Sequence, residues 1–298
     1  MATLNDPNLA ILQLVATALG PVCNSVVFVG GCATGLWATK ERADRIRITE
    51  DVDIVAQALT VRDYHVIESR VRAFGTHCTT PCDLWSAGLG RSAALFLQPI
   101  ALLLAAKKRL AAHPDPTATA SPELCNASLG FNNDMRPGAP ICRWVYQNIT
   151  LDLMPTVKDI LGFANRWYPH AIATATPVTL PGGSNIRLIS APAFIATKLE
   201  AFKDRGKTAD GKPDFLGSHD LEDIITVVDR RPELLGECQG ETLELRNYLA
   251  AEFTALFANR DFEPSLSGHL PGNTFSQQRV KPLVGVLRQL ASLEPRQH

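Results

Sequence analysis

Val26-Val27-Phe28-Val29-Gly30-Gly31 and, further on, Thr49-Glu50-Asp51-Val52-Asp53-Ile54-Val55 are the stretches on which the fold of this chain turns. The run Val26 to Val29 is short, continuous, apolar and rich in β-branched residues, which predicts a buried strand. Gly30-Gly31 ends it. The small residues Cys32, Ala33, Thr34 and Gly35 predict a helix from there through Lys40. Two successive glycines lack Cβ atoms and let phosphate groups approach the backbone. A helix N-terminus behind them offers N–H donors and a favourable dipole.

A basic stretch (Lys40, Arg42, Arg45, Arg47) leads to a second strand, Asp51 to Val55. Residues i and i+2 of a strand point to the same face. Asp51 and Asp53 therefore stand side by side, with Val52 and Ile54 on the core side. Two carboxylates that close repel each other, and a divalent cation relieves the repulsion. Mg²⁺ takes carboxylate oxygens and keeps positions free for phosphates, and a pair of ions can clamp the attacking and leaving oxygens of a phosphoryl transfer. A lone Gly-Gly reads as a turn and a lone Asp-x-Asp as solvated surface. Their order here, strand, glycines, helix, acidic strand, favours chemistry.

Trp144 to Met154 alternates, is rich in β-formers and ends at Pro155, so it reads as a third strand. Asp152 is its only acid, between Leu151 and Leu153. An ionised carboxylate there is costly to bury unless paired or bound to metal; on an edge strand it would point to water instead. With Asp51 and Asp53 it makes the three carboxylates of a two-ion site.

The Gly-Gly, Asp-x-Asp and later strand Asp resemble the DNA polymerase β-type nucleotidyltransferase superfamily. Ile189 to Phe202 (Ile-Ser-Ala-Pro-Ala-Phe-Ile-Ala-Thr-Lys-Leu-Glu-Ala-Phe) and Ser218 to Ile225 (Ser-His-Asp-Leu-Glu-Asp-Ile-Ile) resemble the AbiEii/MenT group of toxin-type nucleotidyltransferases. The likeness runs from about Val26 to Pro232. It implies Mg²⁺, two ions, held by Asp51, Asp53 and Asp152. It also implies an NTP held at Gly30 and Gly31, with Lys198 and Asp220 joining Asp53 in the active site; Thr34, just beyond the glycines, is a further candidate for the phosphates. By the same resemblance the acceptor is a tRNA 3′ end, and the partner a cognate antitoxin protein.

Independent readings stand beside the resemblance. Pro192 suits a first helical turn, and Phe194, Ile195, Lys198, Leu199 and Phe202 fall near one stripe. A lysine in that stripe needs a partner, which a triphosphate supplies, or else it snorkels to water. Ser218 is the expected N-cap of a helix from His219 to Asp229. Glu222 and Asp223 read as complements to its dipole, and His219 as structural.

The chain has 298 residues, 46% hydrophobic content and a net charge of −1. That suits a globular protein with a real core and gives no overall basic field toward nucleic acid. The expected architecture is α/β: a polymerase β-like nucleotidyltransferase core over 1–189, then a mainly helical C-terminal domain over 190–298. Further helices are expected in residues 1–20, over Val61 to Phe74 with Val66, Ile67 and Val71 inward, over Glu241 to Ala258 and over Val280 to Leu290. A hairpin is expected around Pro181-Gly182-Gly183-Ser184.

Roughly one hundred residues separate Asp53 from Asp152, where a strand–helix–strand unit needs about 30. Residues 76–129 read as an insertion with a flexible tip at 113–122. Gly162 to Pro169, rich in Arg and aromatics, reads as a base-stacking loop or a packed anchor. Cys78 and Cys82 lack a second pair to make a zinc site. A cytoplasmic chain without membrane contact is the simple expectation, since the apolar run Ala93 to Ala106 is too short to span a bilayer.

Overall fold

The computed structural model describes residues 6–38, 46–73, 131–146 and 148–293. The expected insertion at 76–129 lies outside them, as do Cys78, Cys82 and most of the basic stretch after Lys40.

Seven strands form one mixed sheet in the order β3-β4-β5-β2-β1-β7-β6. They are β1 (Val26–Val29), β2 (Asp51–Ala56), β3 (Asn132–Asn133), β4 (Arg143–Tyr146), β5 (Ile149–Pro155), β6 (Thr176–Thr179) and β7 (Asn185–Leu188). At the centre, β2 runs antiparallel to β1 and parallel to β5. Val26, Val27, Phe28, Val52, Ile54, Leu151 and Leu153 are fully buried there, as expected of strands covered on both faces. The stretch Trp144 to Met154 is two strands rather than one. The chain reverses between Tyr146 and Ile149, and β4 and β5 pair antiparallel. The expected hairpin forms between β6 and β7.

Helix α1 (Leu9–Leu19) and helix α2 (Val61–Ala73) pack together. Tyr64, Ile67 and Val71 form the buried stripe of α2, and Tyr64 Oη donates to Leu153 O at 2.6 Å. Val66, expected inward, is 57% exposed, because it lies beside that stripe rather than on it. Two short helices follow the third carboxylate, α3 (Lys158–Leu161) and α4 (Tyr168–Thr174). Gly31–Leu36 winds as a 3₁₀ helix where an α-helix through Lys40 was expected.

The C-terminal part is helical: α5 (Ala191–Arg205), α6 (His219–Arg230), α7 (Leu234–Gly240), α8 (Leu243–Ala258), α9 (Phe262–Ser265), α10 (Thr274–Gln277) and α11 (Val280–Ala291). Pro192 sits in the first turn of α5, where Ser190 accepts from Ala193 N. Phe194, Ile195 and Leu199 of α5 are buried, and the helix packs against α4, α6, α7 and α8. Phe194 also meets Trp37, with ring centroids 4.7 Å apart. Buried apolar side chains thus run continuously from the sheet into the helices. The α/β sheet with a helical C-terminal part is the expected class.

Candidate active site

Asp51 and Asp53 lie two residues apart on β2, and β5 sets Asp152 beside Asp53 in parallel register. Lateral neighbours in a sheet share a face, so the three carboxylates face one way. Val29 is the partner of Asp53 on its other side, and Arg143 is the partner of Asp152. One row across the sheet therefore reads Arg143, Asp152, Asp53, Val29, with Gly30 following Val29 in the chain. Asp51 is exposed, Asp53 half-buried and Asp152 buried.

Gly30 has φ 78° and ψ 178°, a region open essentially to glycine alone. A Cβ on Gly30 would stand 1.9 Å from Asp53 Oδ2. One on Gly31 would stand 2.4 Å from Arg47 Nη2 and 2.8 Å from Asp223 Oδ2. The glycine pair is thus the floor against which two carboxylates rest. Gly30→Ala is expected to destabilise by about 1–3 kcal/mol and to displace Asp53. Urea unfolding checks this, and an unchanged midpoint would show that the strand end relaxes freely. Thr34, expected at the phosphates, is buried, and its hydroxyl donates to Gly31 O at 2.8 Å; it closes its own turn.

Lys198 is buried on α5, and α6 supplies its partners. Its Nζ lies 3.0 Å from Asp220 Oδ1 and 2.8 Å from Asp223 Oδ2. Burial alone would lower the ammonium; Asp223, Asp220 and Asp53 more than offset it, so its affinity for the proton is raised. Arg205, at the end of α5, donates to both Asp220 oxygens, at 2.7 and 2.8 Å. Burial pushes the Asp220 carboxyl up, but Arg205 and Lys198 outweigh it and hold it below the usual range. Arg47 Nη2 lies 3.3 Å from Asp223 Oδ2. Ser218 caps α6 through Leu221 N, which fixes where these acids project.

Asp53 has no ion pair among the described residues. Burial, with Asp152 and Asp51 adding to it and Lys198 opposing, pushes its carboxyl up to about 6. The third carboxylate is different. Arg143 Nε and Nη2 donate to Asp152 Oδ1 and Oδ2 at 2.9 and 2.7 Å, so each oxygen accepts one charge-assisted bond. Among the described residues no group of three or more His, Cys, Asp or Glu is arranged to hold a metal ion. The hard oxygens of Asp51 and Asp53 fit Mg²⁺, and Asp152 stands beside Asp53 in register with its charge offset by Arg143.

Residues beyond the expected set complete the site. Asp223 is 2% exposed and binds Lys198 instead of merely facing the helix dipole; its place three residues after Asp220, on the same helix face, was the available signal. Asn8, also buried, donates from Nδ2 to Arg47 O at 2.9 Å and accepts from Thr49 N at 3.1 Å. Thr49 Oγ1 in turn accepts from Asp51 N at 3.1 Å. The segment carrying Arg47 into β2 is held from the N-terminal side, which no local pattern announces. The loop before α4 is a packed anchor: Trp167 and Tyr168 are buried, and Arg166 lies over Trp167 and Tyr248.

No family model and no curated protein matches this chain. Among solved structures it is similar to the crystal structure of an antigenic nucleotidyltransferase-like protein from Paracoccidioides brasiliensis, at 17% identity over 89% of this chain and 94% of that one. The TM-score is 0.38, too low for the likeness to carry weight. Among the described residues no helix is long and apolar enough to cross a membrane.

Proposed function

We propose that this chain is a magnesium-dependent nucleotidyltransferase that moves NMP from an NTP to an acceptor hydroxyl, releasing pyrophosphate. The observation that carries the reading is Asp53 resting against Gly30. It sets a carboxylate with no ion partner among the described residues beside bare backbone, near the cationic Lys198. Asp51 and Asp53 would hold Mg²⁺, which when bound neutralises phosphate charge. The chain's own residues do the rest. Gly30 and Gly31 admit phosphates to the backbone, and Lys198 supplies a buried positive charge. Asp220 and Asp223 fix the lysine, so rate comes from positioning and preorganised electrostatics.

A tRNA 3′ end as acceptor, and a toxin role with a cognate antitoxin, rest on the AbiEii/MenT resemblance of Ile189 to Phe202 and Ser218 to Ile225. A cytoplasmic setting suits the cysteines Cys23, Cys32, Cys142 and Cys238, free and buried among the described residues. A protein side chain or a small molecule such as an antibiotic is the rival acceptor. A catalytically silent nucleotide- or antitoxin-binding protein is the rival of another class. Transfer from labelled NTPs, with and without Mg²⁺, over tRNA, protein and small-molecule acceptors separates them. Label on tRNA 3′ ends that disappears with EDTA is the expected result. Label on another acceptor would overturn the tRNA reading, and no label on any acceptor would overturn transfer itself.

A further inference from the structure

The pairing of Arg143 with Asp152 gives the third carboxylate a counter-charge that Asp51 and Asp53 lack among the described residues. A two-bond fork between guanidinium and carboxylate fixes the plane of both groups. The Asp152 side chain is 9% exposed and that of Arg143 is 28% exposed. The carboxylate is therefore the inner member of the pair, and the Arg143 side chain is the more exposed one. Arg143 Nη1 takes no partner among the described residues. A metal ion at Asp152 would meet a carboxylate whose charge Arg143 already offsets, whereas Asp51 and Asp53 stand free of ion pairs among the described residues.

The row across the sheet also gives Arg143 a location. It lies two strands from Asp53, on the side away from Gly30, and at the usual strand spacing that is roughly 10 Å. A nucleotide whose phosphates sit at Gly30 and Gly31 leaves this end of the row for whatever attacks it.

We propose that Asp152 is a positioning residue rather than a metal ligand, and that it holds Arg143 as a fixed cation whose outer edge takes a phosphate oxygen. This rests on the nucleotidyl-transfer reading. The phosphate has two sources, the nucleotide or a phosphorylated acceptor, and the position of Arg143 points to the acceptor.

The test uses the full chain and two readouts. Mn²⁺ binding, followed by electron paramagnetic resonance, is expected to weaken at least about tenfold in Asp53→Asn, the scale of a lost charged ligand. It should stay at the wild-type level in Asp152→Asn and Arg143→Gln. A tenfold loss in Asp152→Asn would make Asp152 a ligand and overturn the proposal alone. No Mn²⁺ binding by the wild-type chain would overturn the parent reading together with it. The second readout is binding of labelled ATP and of a short single-stranded RNA oligonucleotide. Arg143→Gln should weaken the RNA about tenfold and spare ATP. The reverse result assigns the same clamp to the nucleotide, and no change in either overturns it. Asp152→Asn should reproduce Arg143→Gln, the double variant should be no worse, and Arg143→Lys should recover part of the binding. Additive losses would overturn a role exerted through Arg143. Should Asp152→Asn fail to fold, Arg143→Gln and Arg143→Lys carry both readouts.

Discussion

Asp53→Asn is expected to abolish nucleotidyl transfer while making the metal-free protein more stable at neutral pH. The loss of activity should reach roughly a thousandfold, since metal-borne charge stabilisation is worth several kcal/mol. The gain in stability follows from the carboxyl's raised value of about 6, caused first by burial and then by Asp152 and Asp51. Between about 4, the ordinary value, and about 6, the folded state binds this proton more tightly than the unfolded chain does. Stability therefore falls as pH rises through that window and has been lost above it. Converted in full, the shift is worth at most about 3 kcal/mol. In EDTA at pH 7.5 the asparagine variant should melt higher than wild type, and the difference should fade below about pH 4. Mg²⁺ should reverse the order by stabilising only the wild type. A variant that melts lower at pH 7.5 in EDTA would mean that the Asp53 charge is not strained by its surroundings.

Asp53 was also among the most legible residues, because its signals are local. A β-branched run, two glycines and a period-two acidic strand each speak within a few residues, and the sheet pairs them as their order implies. The partners of Lys198 were harder. The stripe on α5 showed a lysine in need of a counter-charge; the resemblance put Asp220 beside it, but Asp223 fits the first turn of any helix and was marked only by its spacing from Asp220. Arg205, likewise, reads as an ordinary cation at a helix end. The pairing of Arg143 with Asp152 was hidden by one missed reversal. Alternation continues through both strands of the hairpin, so a single long strand matched the pattern equally well. Once the chain turns between Tyr146 and Ile149, Arg143 and Asp152 lie equally far from the turn and must meet. What remained illegible was tertiary. Nothing near Asn8 says that its amide will grip the backbone of Arg47 and Thr49.

Lys198→Ala is expected to damage the fold before it reveals anything about nucleotides. The substitution leaves Asp220 and Asp223, 4% and 2% exposed, without their shared ammonium. Breaking a buried pair in this way costs about 3–5 kcal/mol, because charge stays behind in a dry site. Arg205 on Asp220 and Arg47 on Asp223 soften the loss. Asp223 is left worse off, since its contact with Arg47 is the longer, at 3.3 Å. Lys203→Ala is the control. Lys203 ion-pairs with Glu200 and Glu252 across a side chain 47% exposed, and pairs of that kind contribute about 0–1 kcal/mol. Urea midpoints that fall equally in the two variants would remove the case for a buried cationic centre on α5. The double variant Lys198→Met with Asp223→Asn takes out a charge of each sign and should recover most of the lost stability. It should not recover ATP affinity, which is expected to stay at least about tenfold below wild type, as befits a missing charge-assisted contact. ATP bound at wild-type strength by the refolded double variant would show that Lys198 only holds α5 to α6, and the phosphate-neutralising role would pass to another cation.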